Sequence, residues 1–434
     1  MTKSEITENA RSPFFWTAFF LVLPILVHTG LVIWSVTQAE NHIYFGRLDL
    51  VWFIAVVGYL CIGVFLIQRK AWAARFLLVS YASLLTLAAV ELVLSLVVPA
   101  QPVGMPWAPQ HRIVSVGEGH PGLASPVEFS VNTLGLRGPE VQLREMDLRI
   151  LCIGGSTTEC LMVSDKLTWP WRLQDQLAEK LKKKVFVGNA GRASMFALHH
   201  DYVLANYDKT HLFDWVVVLC GINDMGVHMN RQNYDIRSPN VPEETMMTPS
   251  NESVIYYRRL ALVRIASRMR MLWGTSTVVQ DDRGDWLVEQ RRVRKGAMQK
   301  QIEIPRELLE KALAIYQRDL ENIIVTCKFK RVKLVMMTQP TIWCKDLSKD
   351  LQDLIYINSG QHIFGLAALE EMMQAFNDTM VRVCGERGID CIDLASQLPK
   401  DTSVFYDDAH FNIPGCEKVA NVVSEFFLAK YAPK

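Results

Sequence analysis

Apolar positions fall into two regimes along the chain. Three long runs come first, and short runs separated by amphipathic stretches follow. The run from Phe14 to Val36 is broken only by Thr17, Pro24, His28, Thr29, Gly30 and Ser35. Its length fits a membrane-spanning helix. Val51 to Ile67 sits at the short end of spanning length, and Phe76 to Val98 is closed by Pro99. A signal peptide accounts for one such run at most, and no small-residue cleavage site follows the first. Three transmembrane helices over residues 1–99 are therefore expected; the alternative is three buried core helices. Glu91 and His28 lie inside these runs, and Glu91 is about two turns from the outward end, within reach of the interface.

Basic residues in the loops set the orientation. The N-terminal tail (Lys3, Arg11) and the second loop (Arg69, Lys70, Arg75) hold five. The first loop and the twenty residues after Pro99 hold two, Arg47 and Arg112. Lysine and arginine favour the cytoplasmic side, so everything after residue 99 is expected outside the cytoplasm, with membrane lipid as a partner of the N-terminal helices.

Residues 100–126 are rich in proline, glycine and histidine, lack periodicity and suggest a linker. Phe129 to Glu140 looks like a polar lead-in. Beyond it, strands are expected at Ile150–Ile153, Val185–Val187, Trp215–Leu219, Val332–Met337 and Ile389–Ile392. Helices are expected at Trp169–Leu181, where Trp169, Leu173, Leu177 and Leu181 recur at helical spacing, near Phe196–Tyr207, and from Pro414 to about Ala429. Short apolar strands alternating with helices indicate a parallel sheet covered on both faces, in a domain of residues 127–434. Residues 225–305 break the rhythm and suggest a helical insertion: Ser253 can cap a helix from Val254 to Trp273 with arginines around it. That segment suits a lid or a surface for anionic lipid, or a solvated helix. Arg291 to Lys295 is a second basic run, expected in a solvated loop.

Composition adds exclusions. At a formal charge of +1 over 434 residues, nothing points to nucleic acid. Nine cysteines are too scattered for a disulfide scaffold, and no CxxC or HExxH spacing suggests a metal. No cofactor is expected. Cys152 and Cys220 are expected as buried thiols. Cys384 with Cys391, and Cys327 with Cys344, could pair in an oxidising compartment.

The chemistry gathers at strand ends. Ser156 follows two glycines at the end of the first sheet strand, a good place for a nucleophile. Gly191 follows the second strand, and Asn223 and Asp224 follow the third, with Asp224 expected to support the turn that holds Asn223. In Asp407-x-x-His410, just before the last helix, the carboxylate can orient the imidazole so that it serves as base toward Ser156. The backbone N–H groups of Ser156 and Gly191 and the side-chain amide of Asn223 can meet an oxyanion. Thr157, Thr338 and Gln339, near strand ends, are candidates to line the substrate cleft, and His199 and His200 are weaker ones.

In order, Gly154-Gly155-Ser156-Thr157, Gly191, Gly221-x-Asn223-Asp224 and Asp407-x-x-His410 resemble the sequence blocks of the SGNH (GDSL-type) hydrolase superfamily, over roughly residues 127–430. The family's founding motif has aspartate where Gly155 sits. The resemblance implies a flavodoxin-like three-layer αβα domain with a parallel five-stranded sheet, and acyl-ester chemistry. The expected function is a membrane-anchored serine esterase or deacylase acting outside the cytoplasmic membrane on a glycan- or lipid-linked acyl ester. An O-acyltransferase that passes the acyl group to a sugar hydroxyl uses the same triad, and a non-catalytic membrane subunit is the third alternative.

Overall fold

The computed structural model describes residues 106–107, 110–116, 119–229, 277–279, 283–297, 301–357 and 363–431, with six helical positions between Arg75 and Val93. The chain divides into two compact units, Met1–Ala100 with Val254–Arg268, and Gln101–Ser253 with Met269–Lys434. In the first unit, Arg75, Val79, Ala82, Thr86, Val90 and Val93 are helical and exposed, three or four residues apart. The Thr86 hydroxyl donates to the Ala82 carbonyl at 2.8 Å. No helix among the described residues is long and apolar enough to cross a membrane. The runs Phe14–Val36 and Val51–Ile67, most of Phe76–Val98, the residues His28 and Glu91, and the expected helix Val254–Trp273 lie outside the described residues.

The second unit begins with β1 (Gln110–Val114) and β2 (Val127–Val131), which pair antiparallel. Two expectations change here. Residues 100–126 contain a strand and so are not a plain linker, and the polar lead-in is partly a strand whose Phe129 is fully buried. The sequence QHRIV hides its strand because its apolar residues cluster at one end; only the pairing reveals it.

The main sheet follows with β3 (Leu148–Gly154), β4 (Val185–Asn189) and β5 (Trp215–Leu219). Short strands β6 (Thr277–Val279) and β7 (Gln301–Ile302) intervene; β6 runs parallel to β1. β8 (Lys333–Met337), a short β9 (Ile363–Phe364) and β10 (Asp390–Ile392) complete the set. The five parallel strands lie in the order β4-β3-β5-β8-β10. Numbered by sheet strand this is 2-1-3-4-5, the flavodoxin-like order. β5, a continuous apolar strand in the middle of the sheet, is buried along its whole length, as both covered faces require, and the edge strand β4 is buried as well.

Among the described residues of this unit, the helices longer than a turn are α1 (Trp169–Leu181), α2 (Ala197–Asn206), α3 (Ile222–His228), α4 (Arg283–Ala297), α5 (Arg306–Lys330), α6 (Leu366–Arg387) and α7 (Ile413–Tyr431). α1 matches its expected span residue for residue. It buries Trp169, Leu173 and Leu177 on one stripe and carries proline in its first turn. α1 packs with α7, while α5 packs with α2 and α6. The run Arg291–Lys295 is helical, within α4, and Arg294 is only 4% exposed, so it is not a solvated loop.

Strand order reverses between β3 and β5, on either side of which the crossovers run to opposite edges. In such sheets ligands meet the carboxyl ends of the strands at that reversal. A cavity lined by Trp215, Lys333 and Tyr431 opens at the other end, by the first residues of β5 and β8, and holds none of the candidate groups.

Candidate active site

Ser156 opens a single helical turn, Ser156–Glu159, directly after β3. Its N–H is one of those that a helix start leaves without an intrahelical partner. Its Oγ lies 2.7 Å from His410 Nε2. His410 Nδ1 lies 2.9 and 2.8 Å from the two Asp407 oxygens. Asp407 is fully buried, and His410 keeps 18% of its side chain exposed.

The carboxylate is held by a local device. Asp407 Oδ1 also accepts the backbone N–H of Ala409 at 3.0 Å and of His410 at 2.9 Å. This is the Asx-type turn that a short acidic side chain makes with the residues two and three ahead. Phe405 and Phe411 form an antiparallel bridge, so Asp407–His410 is the tip of a tight hairpin. Asn412 Oδ1 accepts the Gly415 N–H at 2.8 Å and caps α7.

The oxyanion candidates stand on the other side of Ser156. Asn223 lies in the first turn of α3. One of its amide hydrogens goes to the Met195 carbonyl at 2.8 Å, and an amide carries two. Gly191 donates its N–H to Asn189 Oδ1 at 2.8 Å, while Asn189 Nδ2 donates to the Thr158 carbonyl at 2.7 Å. Asn189 therefore straps the Gly191 loop to the nucleophile turn, and in this structure the Gly191 N–H is engaged. A Cβ on Gly191 would lie 2.6 Å from the Thr158 carbonyl carbon, so only glycine allows the loop this close. A Cβ on Gly155 would lie 2.5 Å from Asn223 Nδ2. The Asn223 amide occupies the space that the founding motif's aspartate would need.

Three expected cleft residues are elsewhere. Thr157, Thr338 and Gln339 are all 2% exposed or less. Thr338 Oγ1 donates to Asp393 Oδ1 at 2.9 Å and accepts the Ala395 N–H, holding the turn after β10. The Gln339 N–H donates to Asn377 Oδ1, and its Nε2 to the Pro340 carbonyl. Thr157 Oγ1 faces Gln339 Oε1 at 3.4 Å beneath the turn. A strand end puts a residue near a site, but its side-chain direction decides whether it faces substrate, and these three point into the fold. His199 and His200 are core residues; burial pushes His200 down to about 3. Asp224 does support the turn: its Oδ1 accepts the Ala197 N–H at 2.9 Å, and burial pushes its carboxyl up to about 7.

Other residues support the site without any local signal in the sequence. Arg137, 3% exposed, pairs with Asp165 at 2.8 Å and donates to the carbonyls of Glu159, Cys160 and Val163. It holds the chain that leaves the nucleophile turn. Asp408, fully buried, accepts Trp343 Nε1 at 2.7 Å and the Tyr356 and Ile357 N–H groups at 2.6 and 3.2 Å. Burial, then the neighbouring Asp407 charge, pushes its carboxyl up to about 6. Arg291 donates to the Leu354 and Tyr406 carbonyls, and Arg294 to those of Ile357 and Phe364. The doublet Asp407-Asp408 is visible in the sequence, but the side-chain partners of Asp408 lie some fifty residues or more away.

Among the cysteines, Cys152 and Cys220 are buried, and burial pushes both thiols well up. Cys384 and Cys391 are adjacent; hydrogen bonding to Cys391, then burial, pushes the Cys384 thiol up. Cys160 Sγ lies 4.0 Å from Cys416 Sγ, a pairing not expected from the sequence. All eight described cysteines are free thiols. No group of three or more histidine, cysteine or acidic residues among the described residues could hold a metal ion.

A serine, a histidine and a buried aspartate stand in hydrogen-bond sequence at the carboxyl edge of a flavodoxin-like sheet, an arrangement suited to acyl-ester hydrolysis. Residues 152–418 match the model of the GDSL-like Lipase/Acylhydrolase family, and the chain belongs to that family. It is a carboxylic ester hydrolase. No curated protein matches the chain. Among solved structures, it is similar to Axe2, an acetylxylan esterase from Geobacillus stearothermophilus, with 11% identity, 66% of this chain and 95% of that one covered, and a TM-score of 0.34. It is also similar to a lipolytic protein of the G-D-S-L family from Desulfitobacterium hafniense DCB-2, with 11% identity, 64% and 99% covered, and a TM-score of 0.32. LAE5, an alpha/beta hydrolase from the metagenome of Lake Arreo, Spain, shows 12% identity, with 65% and 94% covered and a TM-score of 0.34.

Proposed function

We propose that the protein is a membrane-anchored serine esterase that removes an acyl group from a glycan- or lipid-linked ester outside the cytoplasmic membrane, through an acyl-serine intermediate. The observation that carries the chemistry is the 2.7 Å approach of Ser156 Oγ to His410 Nε2, with Asp407 behind it. His410 takes the hydroxyl proton as Oγ attacks the ester carbonyl. The resulting oxyanion sits between the Ser156 N–H, the second Asn223 amide hydrogen and the Gly191 N–H, which leaves Asn189 or is shared with it. The imidazolium, stabilised by Asp407, then gives its proton to the departing alcohol oxygen. Water, deprotonated by the same histidine, attacks the acyl-serine and releases the acid. The membrane anchor rests on the three apolar runs before residue 99, and the orientation on the basic residues between them.

The test pairs chemistry with topology. Ser156→Ala should abolish both hydrolysis of p-nitrophenyl acetate and labelling by a fluorophosphonate, with thermal unfolding nearly unchanged. Full labelling of the variant would refute the nucleophile. A C-terminal reporter active only after export should be on; a reporter active only in the cytoplasm being on instead would refute the orientation.

A further inference from the structure

We infer that Trp286, with Tyr356 beside it, forms a subsite for the alcohol half of the substrate, and that this alcohol is a pyranose unit of a glycan. The inference rests on the esterase reading above and narrows it from glycan or lipid to glycan.

The argument starts from which side of Ser156 each half of an ester must occupy. The acyl carbonyl oxygen points to the donors at Asn223 and Gly191. The leaving oxygen must lie where His410 Nε2 can protonate it. Whatever lines the histidine side therefore meets the alcohol. That side is aromatic. The Tyr406 and Tyr356 rings lie nearly parallel to the His410 imidazole, at 5.6 and 6.4 Å between centroids and 12° and 13° between planes. Trp286 stands edge-to-face against Tyr356, 5.6 Å between centroids, one ring further out. It is 48% exposed, while Tyr406 is buried.

The indole is half open to water and one ring contact away from the tyrosine that stacks on His410, so its face is available to a group bound beside the histidine. It is also held there. Trp286 belongs to α4, and the same helix sends Arg291 to the Leu354 and Tyr406 carbonyls and Arg294 to those of Ile357 and Phe364. The helix is thus tied to the loop bearing Tyr356 and the hairpin bearing His410. The Tyr356 N–H is fixed in turn by Asp408.

A flat ring of this kind selects a flat, rigid partner with C–H bonds on one face and hydroxyls at its edge. The negative face of the indole attracts those C–H hydrogens, and the hydroxyls stay in water. A pyranose has that shape. A glycerol ester does not: its leaving alcohol is a thin, flexible chain with little area to lay on a ring.

The experiment uses the full-length protein and three substrates: p-nitrophenyl acetate, chemically O-acetylated cellotetraose and dioctanoylglycerol. The readout is each kcat/KM relative to that on p-nitrophenyl acetate. Trp286→Ala should lower the ratio for O-acetylated cellotetraose by about tenfold, mainly through KM, and leave the ratio for dioctanoylglycerol in place. Trp286→Phe, which keeps an aromatic face, should recover most of the loss. An unchanged cellotetraose ratio would overturn the inference, as would a fall confined to dioctanoylglycerol. A wild-type protein inactive on p-nitrophenyl acetate would overturn the esterase reading itself, and this inference with it.

Discussion

Replacing Gly155 by alanine tests whether the Asn223 amide is an oxyanion donor and whether glycine is there to make room for it. The added Cβ would stand 2.5 Å from Asn223 Nδ2, where ordinary contact begins at 3.4 Å. The amide must therefore retreat by about 1 Å, because the Gly155 backbone is held between β3 and the nucleophile turn, its carbonyl accepting the Thr158 and Glu159 N–H groups at 3.1 and 3.0 Å. The retreat gives up the Asn223 hydrogen bond to the Met195 carbonyl, at about 1 kcal/mol of stability. Its larger cost falls on catalysis. Oxyanion donors act at about 2.7–3.1 Å, and losing one lowers kcat by roughly a hundredfold to a thousandfold. A donor displaced by about 1 Å should lose much of that, so Gly155→Ala should lower kcat on p-nitrophenyl acetate by roughly tenfold to a hundredfold, with KM nearly constant. The double variant supplies the control. With Asn223 already alanine, there is no amide to displace, and adding Gly155→Ala should change kcat by less than about twofold. If Gly155→Ala costs the same factor in both backgrounds, the Cβ disturbs Ser156 itself and the reasoning fails.

Further outcomes can be measured independently. Arg137→Met strips the buried partner from Asp165 and takes a donor from the Glu159, Cys160 and Val163 carbonyls, so it should destabilise the protein by about 3–5 kcal/mol in urea unfolding; a loss below about 1 kcal/mol would show that the loop repacks. Asp224 holds its proton to about pH 7 when folded, whereas the unfolded chain releases it near 4. Its contribution to stability is thus complete below about pH 4 and is lost as pH rises through 7. Asp224→Asn keeps the acceptor for Ala197 and should flatten the decline of stability between pH 4.5 and 7.5; an unaltered slope would refute that assignment. Arg294→Met should loosen the chain at Ile357 and lower the temperature of unfolding, and amide exchange at residues 356 and 357 should quicken; unchanged exchange there would show that Asp408 and Arg291 hold the loop without it.

Much of the architecture was legible without coordinates, where the signal is local. β5 was read at its observed bounds and α1 residue for residue, because an apolar run of strand length and a stripe at helical spacing need no distant partner to be recognised. The contact between Asp407 and His410 is legible for the same reason: they are three residues apart, and their turn is closed by the aspartate itself. The parallel sheet followed from the alternation of strands and helices, and the flavodoxin-like arrangement from the family resemblance; the strand order itself is read from the pairing. Tertiary structure alone decided the rest. β1 exists by pairing with β2 and β6, so its sequence resembles a linker. Thr338 and Gln339 stand at a strand end but turn inward to Asp393 and Asn377. Arg294 looks like a solvated cation until its carbonyl partners arrive from residues 357 and 364. Gly155 departs from the founding motif, and only the fold shows that an amide from residue 223 stands against it. In each case the deciding contact spans dozens of residues, a distance at which composition and periodicity carry no information about which groups meet.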